Sequence, residues 1–239
     1  MTDKEEISEI LESVRGEGRT TLTEYESKEV LSRWGVPVAK TILATEELEA
    51  VDAARDLKYP VVMKVSSPDV PNKEEVEGVR TGISSEIEVR QAFEDLKLNA
   101  KSVYEDADIK GVVVQEYMPE AREVVIGIIQ DPSFGATVTF GLGGVWVKVL
   151  QDMSYRLAPV SEKDAKEMIR EISGYPILSG VGGQFPSDIE GIVELIKKVS
   201  ELPFEFREIS EIDLDPVFVF ERGNGVSIID AEITLKSKV

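Results

Sequence analysis

Ile209-Ser-Glu-Ile-Asp-Leu-Asp-Pro-Val-Phe-Val-Phe-Glu-Arg-Gly-Asn-Gly-Val-Ser-Ile-Ile-Asp-Ala-Glu232 reads as a β-hairpin. Val217 to Phe220 is β-branched and aromatic, Gly223-Asn224-Gly225 is a turn signal, and Val226 to Ile229 is apolar again. Antiparallel pairing brings Asp215 and Asp230, just outside the two strands, near each other. Two adjacent carboxylates repel unless a cation lies between them, and a hard divalent cation takes oxygen ligands of this kind. Aspartates also serve turns as solvated residues, so the pair gains meaning only from the rest of the chain.

Upstream of the hairpin, Gly111 to Tyr117 reads as a strand followed by a Met118-Pro119 connection. Glu123 to Gln130, Ala136 to Phe140, Val145 to Leu150 and a short stretch near Tyr155-Arg156 are further strands, with a glycine loop at Gly141-Leu-Gly-Gly144. Helices open at Ser161 and Ser187, each with an apolar stripe at helical spacing. With the hairpin these make an α+β lobe over 115–239, an antiparallel sheet covered by helices on one face.

Towards the N-terminus, Ile7, Ile10, Leu11 and Val14 fall on one helical face, and Thr23-x-x-Glu26 makes a capping box for a second helix. Together they form an N-terminal helical segment, 1–35. Next come an extended stretch from Val36 to Leu43, a helix capped by Thr45 and the apolar strand Pro60 to Val65. A polar loop from Ser66 to Gly78, a short strand from Val79 to Ile83 and a helix from Ser85 through about Lys97 follow. That order predicts a small α/β lobe over 36–114.

Composition restricts the chemistry. The 239 residues carry 27 basic and 46 acidic side chains, a formal charge of −19, which argues against nucleic acid or an anionic membrane surface as partner. Without cysteine or histidine, thiolate and imidazole chemistry are excluded from this chain, leaving carboxylates, Lys, Arg, Tyr, hydroxyls and backbone amides. No apolar run approaches membrane-spanning length and no signal peptide is legible, so a cytoplasmic location is expected.

Four further features carry chemistry. Lys64 is a charge within an apolar strand, which must snorkel, pair with an acid or bind an anion. Glu116 and Glu123 flank the expected lobe junction, where carboxylates and exposed backbone suit a purine and a ribose. Gly143 and Gly144 would let backbone amides approach an anion, although a tight turn uses the same residues. Arg156 would suit a phosphate.

In this order the features resemble an ATP-grasp domain from about Thr21 to Glu232, and more closely the β-subunit of the archaeal ADP-forming acetyl-CoA (acyl-CoA) synthetases. The carrying residues include Gly35-Val-Pro-Val38, Tyr59-Pro-Val-Val-Met-Lys-Val65, Ser67-Pro-Asp69, Arg122-Glu-Val-Val-Ile-Gly127, Phe140-Gly-Leu-Gly-Gly144 and Asp213-Leu-Asp-Pro216. The resemblance implies two lobes with ATP or ADP between them. Lys64 falls at the phosphates, Glu116 and Met118 at the adenine, Glu123 at the ribose, and Asp215 and Asp230 at Mg2+. It also implies a hetero-oligomer with a CoA-binding α-subunit. The sequence departs from the family at Asn72, where a phosphorylated histidine is usual, at Glu77 for a glycine, at Lys148 for a glutamate and at Gly182 for an arginine. Two readings follow: a nucleotide-binding subunit that makes acid, CoA and ATP from acyl-CoA, ADP and phosphate, or a divergent paralogue with a regulatory or assembly role and no phosphohistidine relay.

Overall fold

The structure is a computed structural model that describes residues 2–144 and 152–237. The expected strand Val145–Leu150, and Lys148 with it, lies outside the described residues. The chain divides into two compact units, one of Thr23–Glu26 and Ala39–Pro119, the other of Met1–Leu22, Ser27–Val38 and Glu120–Val239.

In the smaller unit, β1 (Thr41–Ala44), β2 (Val61–Ser66), β3 (Val79–Ile83) and β4 (Gly111–Glu116) form one antiparallel sheet in the order β1-β4-β2-β3. The sequence reading placed the Gly111–Tyr117 strand at the start of the second half. In the structure β4 is hydrogen-bonded between β1 and β2, and this unit continues to Pro119. Two helices, α3 (Glu47–Leu57) and α4 (Glu86–Val103), pack Val51, Ala54, Val89, Phe93 and Leu96 against Met63, Val65, Val112 and Val114. Each fully buried side chain of the larger kinds contributes about 1.5–3 kcal/mol. Glu46 is the N-cap of α3, one residue after the expected Thr45. The carboxylate of Glu49 instead accepts from both the N–H and the hydroxyl of Thr45, each at 2.8 Å. Ser85 caps α4 as expected, and that helix runs six residues beyond Lys97.

The larger unit holds helix α1 (Asp3–Gly16) and most of α2 (Glu24–Arg33), whose Thr23/Glu26 capping box is formed. Its sheet contains β5 (Arg122–Asp131), β6 (Gly135–Leu142), β7 (Met153–Leu157), β8 (Ile209–Val219), β9 (Val226–Ile228) and β10 (Glu232–Leu235). The order is β10-β8-β5-β6-β7 with β9 also on β8, antiparallel throughout. Val124, Ile126 and Ile128 of β5, Val138 and Phe140 of β6, and Ile212 and Leu214 of β8 point into one core. The same core takes Ile7 and Leu11 from α1, Met168 and Ile169 from α5 (Glu162–Glu171), Leu178 from α6 (Tyr175–Ser179), and Ile192 and Ile196 from α7 (Ile189–Glu205). Among the described residues no helix is long and apolar enough to cross a membrane.

A bulge shapes β8. Val124 pairs with Val217 and Ile126 with Leu214, so Asp215 and Pro216 together stand opposite Val125. The extra residue shifts the alternation: Ile212 and Leu214 are buried before it, Val217 and Val219 after it.

Candidate functional site

The alternation that buries Ile212 and Leu214 turns Glu211, Asp213 and Asp215 to the other face of the sheet, away from the core. Across β8, Glu232 of β10 lies opposite Asp213, while Gly127 of β5 flanks it on the other side. Ile229 N donates to Pro216 O at 3.0 Å, and Val217 pairs with Ile228. One step further in that register sets Asp215 opposite Asp230; Asp215 does not lie just outside its strand, as the hairpin reading has it, but within β8. Asp215 is part of the bulge, where a strand commonly re-aims its side chains. Asp230 Oδ1 also accepts from Ala231 N at 2.9 Å.

The result is a row of like charges. Asp213, quoted in the sequence motif but not singled out there, is the residue most affected. Its carboxyl is pushed up to about 6 from 3.8, by desolvation first and then by Asp215, Glu211, Glu232 and Asp230. The residue as a whole remains exposed, so water screens part of this repulsion. Glu123 is also raised, by burial first and then by the charges of Asp215 and Glu120.

Glu123, at the start of β5, is packed against the end of β6. Gly143 N donates to Glu123 O at 2.8 Å, and a Cβ on Gly143 would stand 2.8 Å from Glu123 Cβ. Gly144 has φ +60, and a Cβ there would meet Glu123 Oε2 at 2.5 Å. Close packing against Glu123 therefore requires the first glycine, and the left-handed backbone favours the second. Beside them is a cavity of about 390 Å3 bounded by Glu123, Leu142, Gly143, Gly144 and Ile177. Arg122 turns aside from Glu123, with Nη1 donating to Ser187 Oγ and Nη2 to Gln184 Oε1, both at 3.0 Å. A larger hollow of about 660 Å3, which Arg122 also lines, is edged by Phe185, Phe220 and Asn224 and contains none of the expected site residues.

Arg156 lies elsewhere. It pairs in register with Val138, on the core side of the sheet, and its Nη1 is 2.8 Å from Glu171 of α5. The contact with Glu171 is also the first cause of the raised pKa of Arg156. The expected phosphate contact is thus on the opposite face from Asp213 and Asp215. Strand context alone does not reveal which face a residue takes.

Lys64, Glu116 and Met118 belong to the smaller unit. Lys64, on β2, is almost wholly buried and pairs with Glu24, Nζ to Oε1 at 2.6 Å. Sequence reasoning foresaw an acid or an anion there, but it missed Glu24, forty residues upstream. Lys40 N donates to Glu116 Oε1 at 2.7 Å, so one oxygen of that carboxylate fixes the chain entering β1. Met118 is half-buried in the connection after β4.

In the loop after β2, the Asn72 amide serves the loop itself. Its Oδ1 accepts from Glu74 N at 3.0 Å and its Nδ2 donates to Glu75 Oε1 at 3.2 Å. Glu77 has φ +47, a conformation that glycine takes without strain. Gly182 likewise has a positive φ, +74.

Residues 13–235 match the ATP-grasp domain family. This chain belongs to the ATP-grasp family. It is 43% identical to the acetate–CoA ligase [ADP-forming] II subunit beta of Pyrococcus furiosus over 98% of this chain and 99% of that protein. It is 41% identical over 98% of its length to the 4-hydroxybutyrate–CoA ligase [ADP-forming] of Nitrosopumilus maritimus, of which it spans 33%. Among solved structures, it is similar to the dinucleotide forming acetyl-coenzyme A synthetase 1 of Ca. Korarchaeum cryptofilum in complex with coenzyme A, Ca-AMPCP and HgCl+. The TM-score is 0.91, with 41% identity, covering 95% of this chain and 99% of that one. In another crystal of that synthetase, with coenzyme A and Mg-AMPPCP, the phosphohistidine segment points towards the nucleotide binding site. The family resemblance is borne out, as is the α/β (α+β) class with helices on mixed or antiparallel sheets; both sheets prove antiparallel, the smaller one included. An ATP-grasp domain of this kind is a nucleotide-binding domain.

Among the described residues, no three or more acidic side chains are grouped as a metal site on their own. Mg2+ rarely needs such a cage, because one or two carboxylates, water and substrate phosphates usually complete its octahedron. Asp215 and Asp230, two oxygen donors in facing register, fit that requirement.

Proposed function

We propose that this chain is the nucleotide-binding β-type subunit of an ADP-forming acyl-CoA synthetase, acting with a separate CoA-binding subunit to make acid, CoA and ATP from acyl-CoA, ADP and phosphate. The observation that carries the reading is the near full-length relation to a subunit beta of that activity, in a chain whose hairpin register faces Asp215 with Asp230. The regulatory or assembly alternative is not favoured, since the relatives reported above are ligases or synthetases.

In this reading Lys64 holds the phosphates, Glu116 and the backbone at Met118 meet the base, and Glu123 accepts from the ribose hydroxyls. Asp215 and Asp230 hold Mg2+, which when bound would neutralise phosphate charge. A carboxyl raised by burial, as in Glu123, is well placed to hydrogen-bond a neutral sugar. Catalysis of phosphoryl transfer is largely positioning and charge neutralisation, which lysine, carboxylates and Mg2+ supply without a thiol or imidazole on this chain. A phosphohistidine, if one is used, belongs to the companion subunit, because Asn72 is an amide engaged in its own turn.

The test mixes the purified chain with a candidate CoA-binding subunit, acyl-CoA, MgADP and phosphate, and follows ATP. Formation of ATP that needs both proteins is the expected result. Nucleotide binding without turnover, with every companion tried, would favour the regulatory reading instead.

A further inference from the structure

The loop between β2 and β3 is joined to Lys64 by a closed circuit of contacts within the smaller unit. Glu24, whose side chain keeps only 4% of its surface exposed, accepts a hydrogen bond from Lys64 Nζ on Oε1 at 2.6 Å, and its Oε2 forms an ion pair, without hydrogen-bond geometry, with Lys73 Nζ at 3.1 Å. The backbone closes the ring: Gly78 N donates to Lys73 O at 2.7 Å, and Val65 N donates to Gly78 O at 2.9 Å. Gly78 cannot be larger, because a Cβ there would stand 2.8 Å from Val65 Cγ1 and 3.0 Å from Lys73 O. Val70 and Val76 bury the same loop against the core of this unit.

We propose that Glu24 is a positioning residue, holding the strand lysine Lys64 and the loop lysine Lys73 on one buried carboxylate so that the two ammoniums present themselves together to a phosphate chain. An ammonium has three N–H donors, so contact with one carboxylate oxygen leaves it able to donate elsewhere. A carboxylate that takes one ammonium on each oxygen fixes the spacing between them. It also opens α2, where a negative charge in the first turn suits the helix dipole. Lys73 thereby becomes a second phosphate contact. That role rests on the function proposed above, whereas the bracing of the loop by Glu24 does not.

The test has two arms. In the nucleotide-free protein, amide exchange over residues 73–78 is compared for wild type, Glu24→Gln, Lys73→Met and the double variant. Each single change should speed exchange about tenfold and the double no further, as members of one network behave. Unchanged exchange, or multiplied effects, overturns the bracing. In the second arm, Lys73→Met should weaken Mg-AMPPCP binding about tenfold while leaving AMP binding within twofold, and Lys73→Arg should restore it. General destabilisation would weaken both ligands alike. Equal loss for AMP, or none for Mg-AMPPCP, overturns Lys73 as a phosphate contact. If wild type binds no Mg-AMPPCP, the proposed function fails together with that contact, and the exchange arm still decides the role of Glu24. Should Glu24→Gln fail to fold, Lys73→Met, a partly exposed loop substitution, carries both arms.

Discussion

Replacing Asp213 with asparagine keeps the shape of the side chain and removes one charge from the row it shares with Asp215 and Glu232. A carboxyl lifted from 3.8 to about 6 would, if fully buried, cost about 3 kcal/mol when ionised in the folded protein. Asp213 remains in contact with water, so screening reduces the figure to about 1 kcal/mol. The sign follows from proton binding. Between pH 3.8 and about 6 the unfolded chain gives up this proton while the folded chain keeps it, so the fold loses stability as pH rises through that window. Asp213→Asn should therefore stabilise the nucleotide-free protein by about 1 kcal/mol at pH 7.5, with the gain shrinking steadily towards pH 4. Urea denaturation at pH 7.5, 6 and 4.5 measures it. A gain of the same size at every pH, or none at pH 7.5, would refute the claim that the substitution relieves a carboxylate disfavoured by desolvation and by its like-charged neighbours.

Three other substitutions probe the scaffold. Asp188 caps α7 through Gly191 N and also accepts from Gly223 N and Gly225 N in the hairpin turn, so Asp188→Ala should cost about 3 kcal/mol in chemical denaturation; a loss well under 1 kcal/mol would contradict it. Glu77→Gly should stabilise by about 0.5–1 kcal/mol, since relief of a left-handed backbone outweighs the added freedom of the unfolded chain; thermal melts would detect the opposite sign. Arg156→Ala removes a partly exposed ion pair worth under about 1 kcal/mol and should leave nucleotide affinity within twofold in titration calorimetry; a large loss would return Arg156 to the site.

What was legible in the sequence follows from period and chain distance. The hairpin could be read because alternation fixes which residues face each other, and the same register that pairs Val217 with Ile228 sets Asp215 against Asp230. The capping box at Thr23 and the cap at Ser85 are local and stand nearly as the sequence reads, although the Glu88 carboxylate accepts from Ser84 N and not from Ser85 N; Thr45 is one residue early because Glu46 holds the cap. Contacts between distant segments leave no such mark. The carboxylate that meets Lys64 is forty residues away, and the one that fastens the hairpin turn, Asp188, looked only like the second residue of a helix opening at Ser187. Arg156 shows the remaining limit: a charged residue in a short strand does not declare its face until the neighbouring strand supplies a register. Asp213 lies within a quoted motif, yet its perturbation arises from burial first and then from four carboxylates, of which Glu232 is brought beside it only by the pairing of β10 with β8.

Calorimetric titration of AMPPCP into the wild-type chain, Asp215→Ala and Asp230→Ala, with Mg2+ and without it, tests the central claim most directly. The account predicts that Mg2+ tightens binding to the wild type, and that each substitution lowers the Mg2+-dependent affinity by at least about tenfold, which is 1.4 kcal/mol, while leaving metal-free binding alone. Wild-type affinity indifferent to Mg2+, or two variants that respond to it as the wild type does, would make Asp215 and Asp230 solvated turn residues and remove the hairpin from the site.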